Sequence, residues 1–332
     1  MTVALDAMGG DYSPQNPVKS AAEMSREGID IVLVGDESVI KNELDNLNFN
    51  AKKIEIVHAP EVVEMGENPL MALKNKKKSS IRVAYDLHKS GDVHSVVSAG
   101  NSGAMLAIGK FVLKTVKGVD RPCISALLPS LKDKVLLLDA GANMDCKPSH
   151  LLQFALLGDV YTEHIFGKKN PRVGLLNIGS EEGKGDELTK EAYNLLKDSP
   201  LNFIGNVEGK EFFNGDVDIV VTDGFAGNVL LKSVQGAANF LKQLLREEIS
   251  NSLLSKIGTL FMLQSYKAVK KRTDYAEYGG APLLGLKGNG IVCHGSSNPA
   301  ALNFGVKFAQ WASETEVVKK MEEKLQNYDS LM

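Results

Sequence analysis

Residues 94–103, HSVVSAGNSG, place a short β-branched run directly before a polar turn rich in glycine. A run of this length and composition is typical of a buried strand, and the turn suits the passage from a strand into a helix. The arrangement recurs at residues 135–143, VLLLDAGAN, and at residues 217–228, VDIVVTDGFAGN. Short apolar runs that alternate with longer segments of helical period predict βαβ units. The fold class is therefore α/β, with three α/β/α layers and a mainly parallel sheet.

The same pattern, applied along the whole chain, predicts strands near residues 2–5, 31–34, 54–57, 94–98, 135–139, 172–177, 203–206, 217–222 and 290–293. A first helix is predicted to run to about Glu27, with Ser13 as its N-cap and Pro14 as its first residue. Further helices are predicted near 80–89, 102–116, 149–166, 186–197, 227–250 and 297–327. Because no repeat or low-complexity linker interrupts the pattern, residues 1–332 are expected to form one α/β/α domain. A helical excursion at about 228–272 is expected to protrude from it as a hairpin.

Composition excludes several classes of protein. The 332 residues are 43% hydrophobic, which is enough for a core without a disulfide or metal staple. Lys and Arg number 38 and Asp and Glu number 41, so the net charge of −3 does not favour nucleic acid as a partner. An odd number of cysteines without CxxC spacing fits a reduced cytoplasm. No basic and apolar leader precedes the first strand and no apolar run reaches about 18 residues, so neither a secretory signal nor a spanning helix is expected.

Polar turns follow five of the predicted strands. Ligands of parallel sheets bind beyond the carboxyl ends of the strands, and glycine-rich turns before helices favour anions. We therefore expect these turns to line one phosphate-binding cleft, although capping and turn geometry alone would also select such residues. The candidate phosphate- and substrate-binding residues are Asp6, Gly9, Gly10, Gly100, Asn101, Ser102, Gly103, Asp139, Asn143, Gly183, Gly185 and His294.

Lys184 stands between two of these glycines, just before a predicted helix, where an ammonium group could neutralise a phosphate oxygen. The alternative is an ordinary solvated lysine. The chain has neither a GxGxxG turn after a strand nor a GxxxxGK[ST] loop, and it lacks a GxSxG elbow. No cluster of histidines, cysteines or carboxylates at metal-ligand spacing is present, so no metal is expected.

Nine sequence blocks together resemble the bacterial phosphate acyltransferase family called PlsX. They are Ala7–Asp11, Ser98–Ala104, Asp139–Asn143, Gly183–Lys190, Phe203–Glu208, Thr222–Val229, Tyr278–Ala281, Gly285–Lys287 and His294–Ser297, which occur in order along nearly the whole chain. The resemblance implies a soluble, cytoplasmic homodimer with the fold of isocitrate dehydrogenase and phosphate acetyltransferase. It also implies transfer of a fatty acyl group from acyl carrier protein to inorganic phosphate, without a cofactor. The acyl phosphate would then serve phospholipid synthesis.

Phosphate is itself a nucleophile, so this reaction needs orientation and charge neutralisation rather than an enzyme-bound acyl group. Lys184 would hold the phosphate or the developing charge, and Asp223 would position the phosphate or accept its proton. Three asparagines are interchangeable candidates for donating a hydrogen bond to the thioester carbonyl: Asn101, Asn143 and Asn228. The rival interpretations are an acyltransferase that uses acyl-coenzyme A, a dehydrogenase of the same fold, and a non-catalytic scaffold for lipid enzymes.

Two surface features suggest partners. The lysines Lys74, Lys76, Lys77 and Lys78 form a positive patch that would attract an acidic carrier protein, unless they are simply a solvated helix face. Apolar residues recur at helical spacing within 244–272, and basic residues flank Leu260 and Phe261 near the expected tip. This combination suits contact with anionic lipid, near the membrane glycerol-phosphate acyltransferase that would use the product. Burial of the stripe in a dimer interface is the alternative.

Overall fold

Strands and helices alternate along the computed structural model, which describes residues 1–50, 54–265, 268–269 and 280–326. The strands of these residues are β1 (Val3–Asp6), β2 (Ile31–Gly35), β3 (Glu55–His58), β4 (Ser95–Ser98), β5 (Cys123–Pro129), β6 (Lys134–Leu138), β7 (Val173–Leu176), β8 (Phe203–Val207), β9 (Ile219–Val221), β10 (Ala281–Leu284) and β11 (Asn289–Val292). The helices are α1 (Gln15–Arg26), α2 (Glu37–Asn46), α3 (Pro69–Asn75), α4 (Ser80–Ser90), α5 (Ser102–Leu113), α6 (Pro148–Phe166), α7 (Glu187–Lys197), α8 (Gly224–Asn251), α9 (Leu253–Phe261), α10 (Pro299–Glu314) and α11 (Val317–Gln326).

Side chains cap the start of most of these helices. A carboxylate or amide oxygen accepts hydrogen bonds from the first-turn amides, which have no partner within the helix. Asp36 caps α2, Asn101 caps α5 and Asp223 caps α8 in this way. The caps at the βα turns therefore fix where α5 and α8 begin, next to the predicted site residues.

The strands form one mixed sheet in the order β3-β2-β1-β4-β11-β10-β5-β6-β9-β7-β8. Within each half of the sheet the strands are parallel. In the centre, β10 is antiparallel to β11 and to β5, and β5 is antiparallel to β6. The prediction of a mainly parallel α/β sheet is confirmed. However, three successive reversals place the carboxyl ends of β1, β4 and β11 at the opposite edge from those of β6, β7 and β9.

Helices cover both faces of the sheet, which makes three layers. On one face, α4, α5 and the first half of α8 pack on a core shared by both halves of the sheet. On the other face, α1, α2 and α10 cover one half, and α6, α7 and α11 cover the other. Side chains of β1 alternate between the two layers, since Ala4 faces the first and Leu5 the second. The sequence of apolar runs thus reflects strands that are buried on both faces.

Some predicted elements differ from the structure. The prediction omitted β5 and β10, because neither is followed by a helix and β10 contains Pro282. It also omitted α2 and the seven-residue α3, and it merged α10 with α11, which are separated at Glu316 by a left-handed backbone (φ 51°). The predicted cap at Ser13 was wrong: the Ser13 hydroxyl donates instead to the carbonyls of Met8 and Gly10, and α1 begins at Gln15.

None of the helices in the described residues combines the length and the apolar composition needed to cross a membrane.

Candidate active site

The turns after β1, β4 and β11 meet at one edge of the sheet. The Asp11 amide donates to the Gly295 carbonyl at 2.8 Å. A Cβ atom added to Gly9 would lie 2.7 Å from the Gly100 amide nitrogen, so these two backbones are in close contact. The structure therefore brings together the predicted site residues Gly9, Gly10, Gly100 and the turn that contains His294.

Asp6 lies beneath these turns and is fully buried. Its carboxylate accepts hydrogen bonds from the Met8 amide at 3.0 Å and the Ser98 hydroxyl at 2.6 Å. Burial raises the pKa of the Asp6 carboxyl above its usual value, and the hydrogen bonds from Ser98 and Met8 offset part of that rise. This geometry gives Asp6 a role in shaping the turn, since its oxygen atoms do not face solvent.

Asn101 holds a separate loop against the start of α5. Its amide nitrogen donates to the carbonyls of Glu64, Met65 and Glu67 at 3.2, 3.0 and 2.8 Å. Its side-chain oxygen accepts from the Ala104 amide at 3.0 Å. Both hydrogens of the Asn101 amide are therefore engaged by backbone carbonyls, and none is left to donate to a thioester carbonyl.

Two further predicted residues open α5 beside this cap. Ser102 is exposed at the first helical position, and Gly103 packs tightly against Pro69 of α3. The backbone amides of this first turn point out of the helix start, where anions bind.

The turn after β6 is organised around Asp139, which is also fully buried. Its carboxylate accepts from the backbone amides of Ile124, Ala142 and Asn143 and from the Asn143 side chain at 2.8 Å. Burial raises the pKa of the Asp139 carboxyl, and these hydrogen bonds oppose the rise. The Asn143 amide nitrogen also donates to the Pro122 carbonyl at 2.9 Å, so its two hydrogens are engaged as well.

The N-terminus of α8 contacts this turn through two glycines one helical turn apart. The Gly224 amide donates to the Asn143 carbonyl at 2.8 Å. Gly227 is buried against the Asp139 carbonyl oxygen, where an added Cβ would overlap that oxygen. Asp223 caps the helix through Oδ1, at 2.7 Å from the Phe225 amide and 3.0 Å from the Ala226 amide. Its Oδ2 accepts no hydrogen bond from the described residues.

Asn228 follows on α8 and faces the Asp139–Asn143 turn. A Cβ atom added to Gly141 would lie 3.3 Å from the Asn228 Cβ. The side chain is half-buried, and its amide hydrogen bonds to no residue that the structure describes. Of the three asparagines that the sequence left interchangeable, Asn228 alone has an amide free for a ligand in the described residues.

One helical turn further along α8, Lys232 reaches the turn after β11. Its Nζ lies 3.2 Å from Nε2 of His294. Residues four apart lie on the same face of a helix, so Asn228 and Lys232 share one face of α8. Lys232 is not among the site residues predicted from the sequence, although its i+4 spacing from Asn228 indicates it. This helix face therefore contacts both the turn after β6 and the turn after β11. The carboxyl ends of these two strands lie at opposite edges of the sheet, so strand direction alone would not predict that their turns share a site.

Lys184 lies in the exposed turn between β7 and α7. Its carbonyl accepts a hydrogen bond from the Asn177 side chain at 3.0 Å, and its amide donates to the Glu181 carbonyl at 3.2 Å. Gly183 and Gly185 on either side have φ angles of 102° and 94°. Because β7 is a parallel neighbour of β9, this turn lies at the same edge as Asp223. The Lys184 side chain forms no hydrogen bond or ion pair with α8 in the described residues.

Free thiols are present but protonated near this site. Cys146 is half-buried with its Sγ 3.4 Å from the Asn143 carbonyl, and burial raises the pKa of its thiol to about 12. Burial likewise raises the pKa of Cys293 to about 12 and that of Cys123 well above its usual value. A thiol needs its thiolate form to attack a thioester, so these cysteines are poor nucleophiles. Within the described ranges no group of histidines, cysteines and carboxylates could hold a metal ion.

Two surfaces were predicted to bind partners, the lysine patch near α3 and the 244–272 segment, and the structure describes only part of the second. Lys74, Lys77 and Lys78 are exposed on α3 and the turn after it. Lys76 instead contacts Oε2 of Glu67 and the Val62 carbonyl, each at 2.6 Å. At the end of α9 the Phe261 side chain is 87% exposed. The Leu260 side chain, the flanking residues Lys267 and 270–272, and the 278–279 part of one family block lie outside the described residues.

Comparison with known proteins adds sequence and fold relatives. The chain matches a family model described as "Fatty acid synthesis protein" over residues 1–320. It is 50% identical over 327 residues to a protein of Geobacter sulfurreducens named phosphate acyltransferase, covering 98% of this chain and 94% of that one. A phosphate acyltransferase of Pelotomaculum thermopropionicum is 48% identical over 332 residues, with coverage of 99% and 96%.

Solved structures share the fold at low sequence identity. The EutD phosphotransacetylase from Staphylococcus aureus superposes with a TM-score of 0.59 at 15% identity, covering 95% of this chain and 94% of that one. A 4-hydroxythreonine-4-phosphate dehydrogenase from Klebsiella pneumoniae superposes with a TM-score of 0.57 at 13% identity, with coverage of 94% and 98%. At such identities the likeness concerns the fold alone.

Proposed function

The chain belongs to the phosphate acyltransferase family, and from this premise we propose that it transfers a fatty acyl group from an acyl carrier protein to inorganic phosphate. The products are an acyl phosphate and the free thiol of the carrier. Relatives of about 50% identity carry the name of an acyltransferase, which decides against the dehydrogenase that shares the fold.

One observation carries the proposal. The first three turns of α8 place the free amide of Asn228 beside the Asp139–Asn143 turn and Lys232 beside His294. An amide donor and an ammonium group therefore lie on one face of α8, between two sets of glycine-rich turns. Groups placed in this way can hold a polarised carbonyl and a phosphate next to each other, as acyl transfer to phosphate requires.

The chemistry follows from these groups. A phosphate oxygen attacks the thioester carbonyl carbon, and a C–O bond forms while the carbonyl oxygen gains negative charge. The Asn228 amide donates to that oxygen. The C–S bond then breaks, the carrier leaves as a thiolate and takes up a proton, and the acyl phosphate remains. The second carboxylate oxygen of Asp223 positions the phosphate or accepts its proton, and a lysine, which the sequence assigns to Lys184, neutralises its charge.

The experiment that tests the function mixes purified protein, acyl carrier thioester and inorganic phosphate, and identifies the products by mass spectrometry. We expect acyl phosphate and free carrier thiol in equal amounts, and neither when phosphate is omitted. A parallel reaction with the same acyl group on coenzyme A compares the two donors. Faster transfer from coenzyme A would replace the donor in our proposal. Absence of acyl phosphate with both donors would refute the acyl transfer and leave a scaffold role.

We predict that the exposed lysines near α3 attract the acidic carrier. Changing Lys77 and Lys78 together to Glu should raise KM for the carrier donor about 3- to 10-fold at low salt, because two attractive charges become repulsive. KM for acyl-coenzyme A should stay the same. A matched control changes Lys19 and Lys89 to Glu, two exposed lysines on α1 and α4. Equal effects of the two double variants, or none from either, would remove the lysines from the docking surface.

We also propose that the chain forms a homodimer through the stems of α8 and α9, and that the end of α9 contacts anionic membranes reversibly. Changing Leu260 and Phe261 to Glu should abolish binding to vesicles of anionic phospholipid and preserve activity in solution, since apolar insertion is lost. Leu131→Glu, at an exposed leucine of the β5–β6 turn, serves as control. Conversion of the dimer to a monomer by the first variant would place these residues in the subunit interface instead.

The same proposal gives the protein a cytoplasmic location with a peripheral membrane contact. An acyl phosphate is a mixed anhydride that hydrolyses in water, so a membrane-bound acyltransferase that acylates glycerol phosphate must consume it close to where it forms. Flotation with vesicles tests that arrangement: acyl phosphate formation should be found in the vesicle fraction for the wild type and not for the protein with Leu260 and Phe261 changed to Glu.

A further inference from the structure

Lys232 is an exposed lysine whose contact in the described residues is a neutral base rather than a carboxylate. Other lysines of the structure, such as Lys76, Lys168 and Lys324, form ion pairs with aspartate or glutamate. Lys232 instead lies with Nζ 3.2 Å from Nε2 of His294. A positive charge without an acidic partner, at the meeting point of glycine-rich turns, is suited to a bound anion.

Two groups contact the His294 ring from opposite sides. An ammonium group can only donate, so the contact with Lys232 uses Nε2 as the acceptor. Nδ1 lies 2.8 Å from the Ser296 hydroxyl oxygen and 3.2 Å from the Ser296 amide nitrogen, so the 294–296 turn fixes the orientation of the ring. Burial and the Lys232 charge lower the pKa of His294, and the facing carboxylate of Asp11 raises it, with a net shift downwards. Near neutral pH the ring is therefore uncharged and leaves the ammonium charge available to a ligand.

The position of Lys232 relative to Asn228 matches the two substrates. Four residues along a helix correspond to a rise of about 6 Å. A tetrahedral oxyanion in contact with Lys232 and the 294–296 turn can thus place one oxygen against a carbonyl carbon whose oxygen is bound by Asn228. The Lys184 turn shows no such link to the Asn228 amide in the described residues.

We propose that Lys232 and the His294–Ser296 turn form the subsite that binds inorganic phosphate, with His294 holding the lysine in position. This inference rests on the proposed acyl transfer to phosphate and names the subsite within it. In the attack, one phosphate oxygen forms the new C–O bond to the thioester carbonyl carbon, and the C–S bond to the carrier breaks. Two N–H groups of Lys232 remain to hold the other oxygens, and the third donates to His294.

Kinetics of two lysine variants separate this subsite from the one predicted at Lys184. Lys232→Gln should raise KM for phosphate about 10- to 100-fold, the effect of losing a hydrogen bond from a charged group, while KM for the carrier donor changes little. Lys232→Arg should recover part of the loss. Lys184→Gln should affect KM for phosphate less than Lys232→Gln does. Lys89→Gln, at an exposed lysine on α4, is the matched control. A large phosphate effect at Lys184 with little at Lys232 would overturn the assignment.

Phosphate binding without turnover distinguishes failure of the subsite from failure of the function. Titration of the whole protein with inorganic phosphate, followed by phosphorus NMR, should show binding that Lys232→Gln weakens and Lys89→Gln does not. If the wild type binds phosphate through Lys232 but forms no acyl phosphate, the subsite stands and the proposed reaction fails. If binding is equal in wild type and Lys232→Gln, the subsite is wrong whatever the activity.

The positioning role of His294 has its own readout. In Lys232→Gln the NMR pH titration of the His294 ring should give a higher pKa than in wild type, because a facing positive charge is gone while Asp11 remains. His294→Gln keeps an acceptor and should raise KM for phosphate less than His294→Ala does. An unchanged His294 titration in Lys232→Gln would show that the pair does not form in solution and would contradict the positioning.

Discussion

Gly227→Val is expected to reduce turnover by at least about 100-fold, because displacement of a catalytic group by about 1 Å can cost this much. An added Cβ at this position overlaps the carbonyl oxygen of Asp139, which is backbone and cannot rotate away. The helix must then move off the Asp139–Asn143 turn. Asn228, the next residue, moves with it and leaves its place beside Gly141. Steady-state rates with saturating carrier thioester and phosphate measure the loss.

A second glycine on the same helix provides the control. A Cβ at Gly236 meets nothing within 4 Å, so Gly236→Ala should leave turnover near wild type and stabilise the helix by up to about 1 kcal/mol. Gly227→Ala should fall between this control and Gly227→Val in activity. Full activity of Gly227→Val in a protein with normal circular dichroism would show that the contact between α8 and the turn does not position the site.

Local sequence was sufficient to predict the turns of the site but not the way they assemble. Each glycine-rich turn follows a short apolar run. Because the strands within each half of the sheet are parallel and buried on both faces, these runs can be recognised as strands from the sequence. The central strands β5 and β10 reverse the sheet three times, and no local pattern indicates a pairing between residues 123–129 and 281–284. The meeting of the turns depends on α8, a long helix whose placement follows from two glycine contacts.

The three candidate asparagines illustrate the same limit. Asn101 and Asn143 have their amides engaged by the carbonyls of residues 64–67 and of Pro122, which are 21 or more residues away in sequence. Nothing near either asparagine in the sequence reveals these partners. Asn228 remains free because the residues it faces are the glycine-rich backbone of another turn. Residue type and turn position identified the three candidate asparagines. The long-range hydrogen bonds of Asn101 and Asn143 leave Asn228 as the candidate donor to the carbonyl.

Lys76 and Lys232 show that the sequence alone does not reveal which lysines are free to bind a partner or a ligand. Lys76 belongs to a run of lysines that suggested a docking patch, yet it pairs with Glu67 and anchors the loop before α3. Lys232 stands alone in sequence among small and apolar residues, and only the tertiary contact with His294 makes it conspicuous. Density of charge along the chain is a poor guide to which cation is free, since pairing is decided in three dimensions.

Asp139→Asn is expected to destabilise the fold by about 3–5 kcal/mol, far more than Asp6→Asn, at about 1 kcal/mol. The two aspartates are equally buried, but their surroundings differ in kind. Asp139 is surrounded by donors, namely the amides of Ile124, Ala142 and Asn143 and the Asn143 side chain, so an amide NH2 in its place would face N–H groups and find no acceptor.

The partners of Asp6 can accommodate an amide, whereas those of Asp139 cannot. The oxygen of an introduced amide can still accept from the Met8 amide. The Ser98 hydroxyl donates to Asp6 at 2.6 Å and accepts from the Gly100 amide at 2.9 Å, and its second lone pair can accept from an amide NH2. Urea unfolding of both variants at pH 7 measures the difference, with Tm from calorimetry as a second observable. Equal destabilisation by the two substitutions would contradict the donor-only environment of Asp139. A raised KM for phosphate in Asp139→Asn, with stability near that of the wild type, would instead return Asp139 to direct contact with the substrate.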